Sequence, residues 1–189
     1  MIVYKSPMGR GKTVSDKAVL DGLLATIGNP GDLTFASAGK AVGLSAATLV
    51  QRFGTRDAMV EAVLLHAWDR LDDATAAADA KVTADPGGAI ALLVQLTPAE
   101  RDVTEGLLLL REDFRNPVLR ARGAAWGGQL ARALGRRLAK DPQEAERLGW
   151  QMASIWQGSL IWWGFHRETD ARTAIETALT EWYANLAKC

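Results

Sequence analysis

The sequence predicts an all-α protein, and three observations lead there. Apolar residues recur at three- and four-residue steps along most of the chain, the period of a helix with one buried face. The prolines, at 7, 30, 86, 98, 117 and 142, fall between those periodic segments and act as punctuation. The only strand-like run is Ile2-Val3-Tyr4, too short to found a sheet.

The elements follow in order. From Val14 to Ile27, the residues Val19, Leu20, Leu23, Leu24 and Ile27 share one face, and Asn29-Pro30-Gly31-Asp32 ends that helix. From Asp57, a second stripe of Val60, Val63, Leu64, Ala67 and Leu71 runs into an Ala/Asp-rich stretch that Pro86-Gly87-Gly88 stops. Leu119, Trp126, Leu130 and Leu134 mark a third helix. Asp141-Pro142 with Glu144 is a helix start, combining an Asp cap with proline in the first turn. The helix from Pro142 to about His166 is apolar nearly all round, with Trp150, Met152, Ile155, Trp156, Leu160, Ile161, Trp162 and Trp163 spread over its circumference. Such a helix is either central to the core or covered by a second subunit; Ala153, Gly158 and Ser159 would let another helix come close. Ile175, Ala178, Leu179, Trp182 and Leu186 define a last amphipathic helix.

Composition narrows the function classes. Of 189 residues, 48% are hydrophobic and 23% charged, which suits one or two small globular domains and excludes disorder. Basic and acidic residues balance at 22 each, so attraction to a polyanion must come from a local patch. Residues 1–56 supply one: Lys5, Arg10, Lys12, Lys17, Lys40, Arg52 and Arg56 outnumber Asp16, Asp21 and Asp32 by four. Cys189 is the single cysteine, which excludes an internal disulfide framework and a multi-cysteine zinc site. No apolar run is long enough for a bilayer span, and no secretory signal opens the chain; a cytoplasmic protein without membrane contact is expected. His66 and His166 lack metal-ligand spacing, so neither metal, cofactor nor enzymatic activity is expected. The nearest catalytic reading sets His166 beside Glu168 or Asp170. Gly11-Lys12-Thr13 ends like a phosphate-binding loop, but Ser6 stands where that loop needs glycine; a basic arm beside the first helix, or equally a merely solubilising tail, is the better reading.

Residues 34–56, TFASAGKAVGLSAATLVQRFGTR, carry the function. Thr34 is placed to cap a short helix through Val42, Gly43 to end it left-handed, and Ser45 to cap a second short helix reaching Phe53. Two helices joined by a short glycine-containing turn form a helix-turn-helix, whose second helix enters the DNA major groove. The outward face of that helix is small at its start and donor-bearing behind: Ser45, Ala46, Ala47, Thr48, Gln51 and Arg52. Gln51 suits adenine and Arg52 guanine or phosphate, while Ala46 and Ala47 allow close approach to a thymine methyl. Hydroxyls of Ser45 and Thr48, and the helix starts at Thr34, Ser45 and Thr55, suit phosphate oxygens. Lys40 and Arg56 add cations.

These residues resemble a known family. The stretch from Ala18 to Leu71 is similar to the DNA-binding domain of the TetR (tetracycline repressor) family of transcriptional regulators. The register is carried by AVLDGLLATIG, Val42-Gly43-Leu44-Ser45, Thr48-Leu49, Phe53-Gly54 and Arg56-Asp57. The resemblance implies a DNA-binding domain over residues 1–56, a connecting helix over 57–81, and a helical effector-binding and dimerisation domain over 82–189. It implies a homodimer through helices 142–166 and 170–187, a palindromic double-stranded DNA operator, and release of a repressor by a small molecule. Three positions depart from the family. Val50 stands where a tyrosine commonly contacts DNA, Gly39 replaces a usual alanine, and Ala38 replaces a larger aliphatic residue.

Tryptophan is over-used, at seven against four Phe and two Tyr. Indole rings fill large irregular spaces in a core, and that is the first reading of this content; the second makes Trp68, Trp126, Met152 and Trp156 the lining of an effector pocket for an apolar or aromatic compound. A helical ligand carrier without DNA binding is the alternative reading.

Overall fold

The computed structural model describes residues 14–186, which fold into nine α-helices and one three-ten turn, without a strand. The Ile2-Val3-Tyr4 run, the arm residues Lys5, Arg10 and Lys12, the Gly11-Lys12-Thr13 motif and Cys189 lie outside the described residues. In order, the helices are α1 (Asp16–Leu24), then after the three-ten turn Pro30–Asp32, α2 (Phe35–Val42), α3 (Ala46–Phe53) and α4 (Arg56–Asp79). There follow α5 (Pro86–Leu96), α6 (Glu100–Arg115), α7 (Pro117–Leu138), α8 (Pro142–His166) and α9 (Ala171–Leu186).

Helix starts obey capping chemistry. Ser15, Thr34, Ser45, Thr55, Asp85, Asn116 and Asp141 each accept a hydrogen bond from a backbone N–H of the first turn. α1 is shorter than the apolar stripe suggests, because Ser15 takes the cap and the helix ends at Ala25. Ile27 is buried beyond it all the same. Pro86-Gly87-Gly88 proves to be a helix start instead of a stop: Asp85 caps and Pro86 opens α5.

Two apolar cores result. The first gathers α1, α2, α3 and the opening of α4, with Val19, Leu23, Ala38, Leu49, Met59 and Val63 all fully buried. The second lies among α5, α7, α8 and α9, around Leu92, Leu93, Leu134, Met152, Ile175 and Leu179. α4 runs through both, and Trp68 packs against each cluster. The buried Arg137 sews the α4–α5 loop to α7: Nη1 donates to Asp79 Oδ1 at 2.6 Å and Nε donates to the Thr83 carbonyl at 2.7 Å.

α7 and α8 touch backbone to backbone. A Cβ on Gly149 would stand 2.0 Å from the Ala131 carbonyl oxygen, and one on Gly135 would stand 2.1 Å from that of Ala145. The all-round apolarity of α8 divides in two. Leu148, Met152, Trp156, Leu160 and Trp163 are buried, while Trp150 (44%), Ile161 (43%), Trp162 (65%) and Phe165 (77%) are exposed in the single chain.

Candidate functional site

The segment 34–56 folds as its cap residues dictate. Thr34 and Ser37 form a reciprocal capping box at the start of α2, and Gly43 ends α2 with φ of 69°. Gly39 is where α2 and α3 meet: a Cβ there would lie 2.5 Å from the Leu44 carbonyl oxygen. This geometry explains a glycine at the position where the resembling family usually has alanine. Leu49 is fully buried against the first core and anchors α3.

The opposite side of α3 faces outward. Ser45, Ala46, Ala47, Val50 and Gln51 are exposed, and Thr48 is half-buried. Thr34, Lys40 and Thr55 are exposed beside them. Ser45 Oγ accepts from the Thr48 N–H at 3.1 Å and lies 2.8 Å from Thr48 Oγ1, so the two hydroxyls form a pair at the leading end. The amide of Gln51 and the ammonium of Lys40 have no hydrogen-bond or ionic partner among the described residues.

The two arginines are placed otherwise than expected. Arg52 turns back onto α1, with Nη1 donating to Asp16 Oδ1 at 3.0 Å and Nη2 to the Val14 carbonyl at 2.6 Å. Arg56 clasps the three-ten turn: Nε donates to the Leu33 carbonyl at 2.8 Å, and Nη2 donates to those of Pro30 and Gly31 at 2.6 and 2.8 Å. Their guanidinium groups hold α3 and the base of α4 in place rather than offering free charge to a phosphate. Lys17 is paired too, with Asp21 at 3.3 Å. Among described residues 14–56, Lys40 is the basic side chain left uncommitted; Lys5, Arg10 and Lys12, which supply most of the surplus counted from the sequence, lie outside the described residues.

α1 and α4 are clasped by a further pair. His66 Nε2 and Asp21 Oδ1 lie 2.7 Å apart. Hydrogen bonding to His66 is the main influence holding the Asp21 carboxyl below its ordinary value, with Lys17 adding to it. His166, by contrast, lies at the end of α8 with its ring 6.5 Å from that of Trp162.

The expected effector residues do come together. Trp68 and Trp126 have ring centroids 5.6 Å apart, Trp126 and Trp156 6.4 Å, and Met152 is fully buried in the same cluster. Each indole N–H is satisfied: Trp68 donates to Asp113 Oδ1, Trp126 to Thr75 Oγ1 and Trp156 to Thr97 Oγ1, all at 3.1 Å. These rings therefore form packed core. Two hollows lie elsewhere, one of about 350 Å³ beside Lys17, Asp21, Arg70 and Asp73, the other of about 440 Å³ between α5 and α9. The sequence reading missed Asp113 and the hydrogen bond from Asn116 Nδ2 to Glu61 Oε2 at 2.6 Å. The Asn116-Pro117 pair was a legible cap for α7, but its reach to α4 was not.

The arrangement of helices recurs in solved structures. A protein from Rhodococcus sp. assigned to the TetR family of transcriptional regulators superposes with a TM-score of 0.64 at 19% identity, over 87% of this chain and 95% of that one. The chain has the TetR-regulator fold. A protein from Saccharomonospora viridis assigned as a transcriptional regulator, solved in complex with choline, superposes with a TM-score of 0.66 at 18% identity, over 87% and 93% of the two chains. No family model matches the sequence, and no curated protein matches it. Within the TetR-regulator fold, α2 and α3 are the helix-turn-helix. No helix among the described residues is long and apolar enough to cross a membrane.

Proposed function

We propose that this protein is a TetR-family DNA-binding transcriptional regulator, acting as a homodimer whose affinity for a palindromic operator is lowered by a small organic effector. The observation that carries the reading is the outward face of α3. It is small where it must approach the bases, carries the unpartnered Gln51 amide behind, and is rigidly capped at Ser45. Ser45, Ala46, Ala47, Thr48, Val50 and Gln51 are the groove-facing set, with Thr34, Lys40 and Thr55 at the flanking phosphates. Arg52 and Arg56 support them from within.

One further observation supports the reading. The exposed Trp150, Ile161, Trp162 and Phe165 on α8 form an apolar stripe of the kind a second copy covers; with α9 it supplies the dimer face. Two reading helices about 34–36 Å apart would then meet successive major grooves. Residues 1–56 act as the DNA-binding unit, residues 57–81 as the connector and residues 82–189 as the regulatory unit. An effector shifts DNA affinity only by binding unequally to the two spacings of the reading helices. The choline in the Saccharomonospora viridis structure belongs to that protein, and it suggests a first compound for an effector panel.

The test is selection of binding sites from random duplexes by the full-length protein, followed by a salt titration of the selected site. The regulator reading expects an inverted repeat and an affinity that falls steeply with salt. Gln51→Ala should then cost about 1–3 kcal/mol and relax specificity at one base pair. No DNA binding at low salt would return the chain to the class of helical ligand carriers.

A further inference from the structure

At about 3.6 residues per turn, Ala46, Ala47, Val50 and Gln51 share the arc of α3 that turns away from the buried Leu49, and all four are exposed. Val50 is the unusual member. It is 43% exposed and is the largest apolar side chain on that arc. Valine is a weak helix former, because its branched Cβ loses rotamer freedom against the preceding turn. Neither local propensity nor core packing therefore accounts for it on this eight-residue helix.

The arc carries no cation. In the major groove the commonest specific contact is an arginine or lysine paired with O6 and N7 of guanine. Arg52, the one basic residue of α3, turns off the arc: its side chain is 18% exposed and is bound to Asp16 and the Val14 carbonyl. The hydroxyls of Ser45 and Thr48 are engaged at the helix start, 2.8 Å from each other. The Gln51 amide is thus the polar group that the arc offers, and an amide suits N6 and N7 of adenine. Beside it stand only apolar side chains. Thymine alone among the bases presents an apolar group in the major groove, its C5 methyl. Ala46 lies one turn before Val50 and ends at Cβ, so on that side nothing holds the helix off the base edges. A surface of one amide and three apolar side chains is complementary to A·T pairs and has no partner for guanine.

We propose that Val50 reads the C5 methyl of a thymine, and that the base pairs facing α3 in each half-site are A·T, with Gln51 on an adenine. The inference rests on the DNA-binding regulator reading and names the bases its helix selects. Burying one methyl changes affinity about three- to fourfold, so the two half-sites of a dimer's operator together give about tenfold.

The experiment starts from a duplex that the full-length protein selects from a random pool. Each thymine of the half-site is replaced in turn, in both half-sites, by deoxyuridine, which removes the methyl and keeps every hydrogen-bonding group of the base. At one position the exchange should weaken binding by the parent chain about tenfold. Val50→Ala should bind the thymine and deoxyuridine duplexes alike at that position. The variant keeps its fold, since Val50 lies outside the core and alanine is the better helix former. G·C pairs throughout the selected α3 contact region, deoxyuridine tolerated at every position by the parent chain, or a Val50→Ala protein that still prefers thymine would overturn the proposal. DNA binding indifferent to the methyl removes only this inference, whereas no DNA binding at all removes the regulator reading and this inference with it.

Discussion

Replacing Gly149 by alanine tests the closeness of α7 and α8, on which the shape of the regulatory half depends. The added Cβ would sit 2.0 Å from the Ala131 carbonyl oxygen, 2.8 Å from its carbon and 3.1 Å from the Gly135 nitrogen. These are backbone atoms of a helix interior, so no rotamer change relieves them. Restoring ordinary contact requires α8 to withdraw by roughly 1 Å, and a gap of that size forfeits about a quarter to a half of the local dispersion energy. Overpacking of this kind costs about 1–3 kcal/mol and sometimes more. Alanine regains about 1 kcal/mol of helix propensity over glycine. The opposing terms leave the variant destabilised by about 2 kcal/mol, if the clash costs the upper end of that range. For a chain of this size, about 2–4 °C is lost per kcal/mol, so Tm should fall by roughly 4–8 °C. Gly164→Ala is the control: it lies on the same helix with nothing within 4 Å of its added Cβ, and it should hold or raise Tm. Thermal unfolding followed by far-ultraviolet circular dichroism reads both. A Gly149→Ala protein as stable as Gly164→Ala would refute the close backbone approach.

Other predictions follow from the same contacts. Arg56→Ala should lower the thermal stability of the N-terminal helices while leaving the salt slope of DNA binding unchanged, because its donors serve the carbonyls of the three-ten turn; a slope reduced by about one would make it a phosphate anchor after all. Asp21 is held below its ordinary value of 3.8, mainly by His66, so its stabilising effect is present above that pH and is lost as pH falls through the depressed value. Asp21→Asn should therefore lower Tm at neutral pH and lose that effect in acid, as a pH series of melts would record. Asp113 has the opposite sign. Its raised value means the folded state is favoured below pH 3.8 and penalised as pH climbs through the folded value, so Asp113→Asn should stabilise the protein at pH 7 and not below 3.8. Trp162→Glu together with Phe165→Glu places charge on the exposed α8 stripe, and sedimentation should show monomers where the parent chain is dimeric.

Local rules made much of the fold legible. The start of α8 at Pro142 was readable to the residue, since an aspartate cap and a first-turn proline define it, and its end near His166 was close. α2 and α3 were equally plain, from Thr34, Gly43 and Ser45. α5 was obscured because Pro86-Gly87-Gly88 reads as a breaker when its aspartate cap is overlooked. Gly88 is there because a Cβ would lie 1.9 Å from the Thr83 carbonyl oxygen, a closeness no local pattern announces. α6 carries no capping side chain at its start, so it gave the weakest signal of all.

What the sequence determined by itself was the order and type of every helix but α5 and α6, because caps, turns and a helical period act over four or five residues. Which way Arg52 and Arg56 point was decided by tertiary structure. Their partners Asp16, Val14, Pro30, Gly31 and Leu33 come within reach only once α1 and the three-ten turn fold against α3 and α4. The same is true of Asp113, an ordinary acidic residue in the chain and, in the fold, a buried one with no cation beside it among the described residues. Charge can be counted along a sequence, but whether it is spent inside the protein or offered to a partner depends on distances between residues far apart in that sequence.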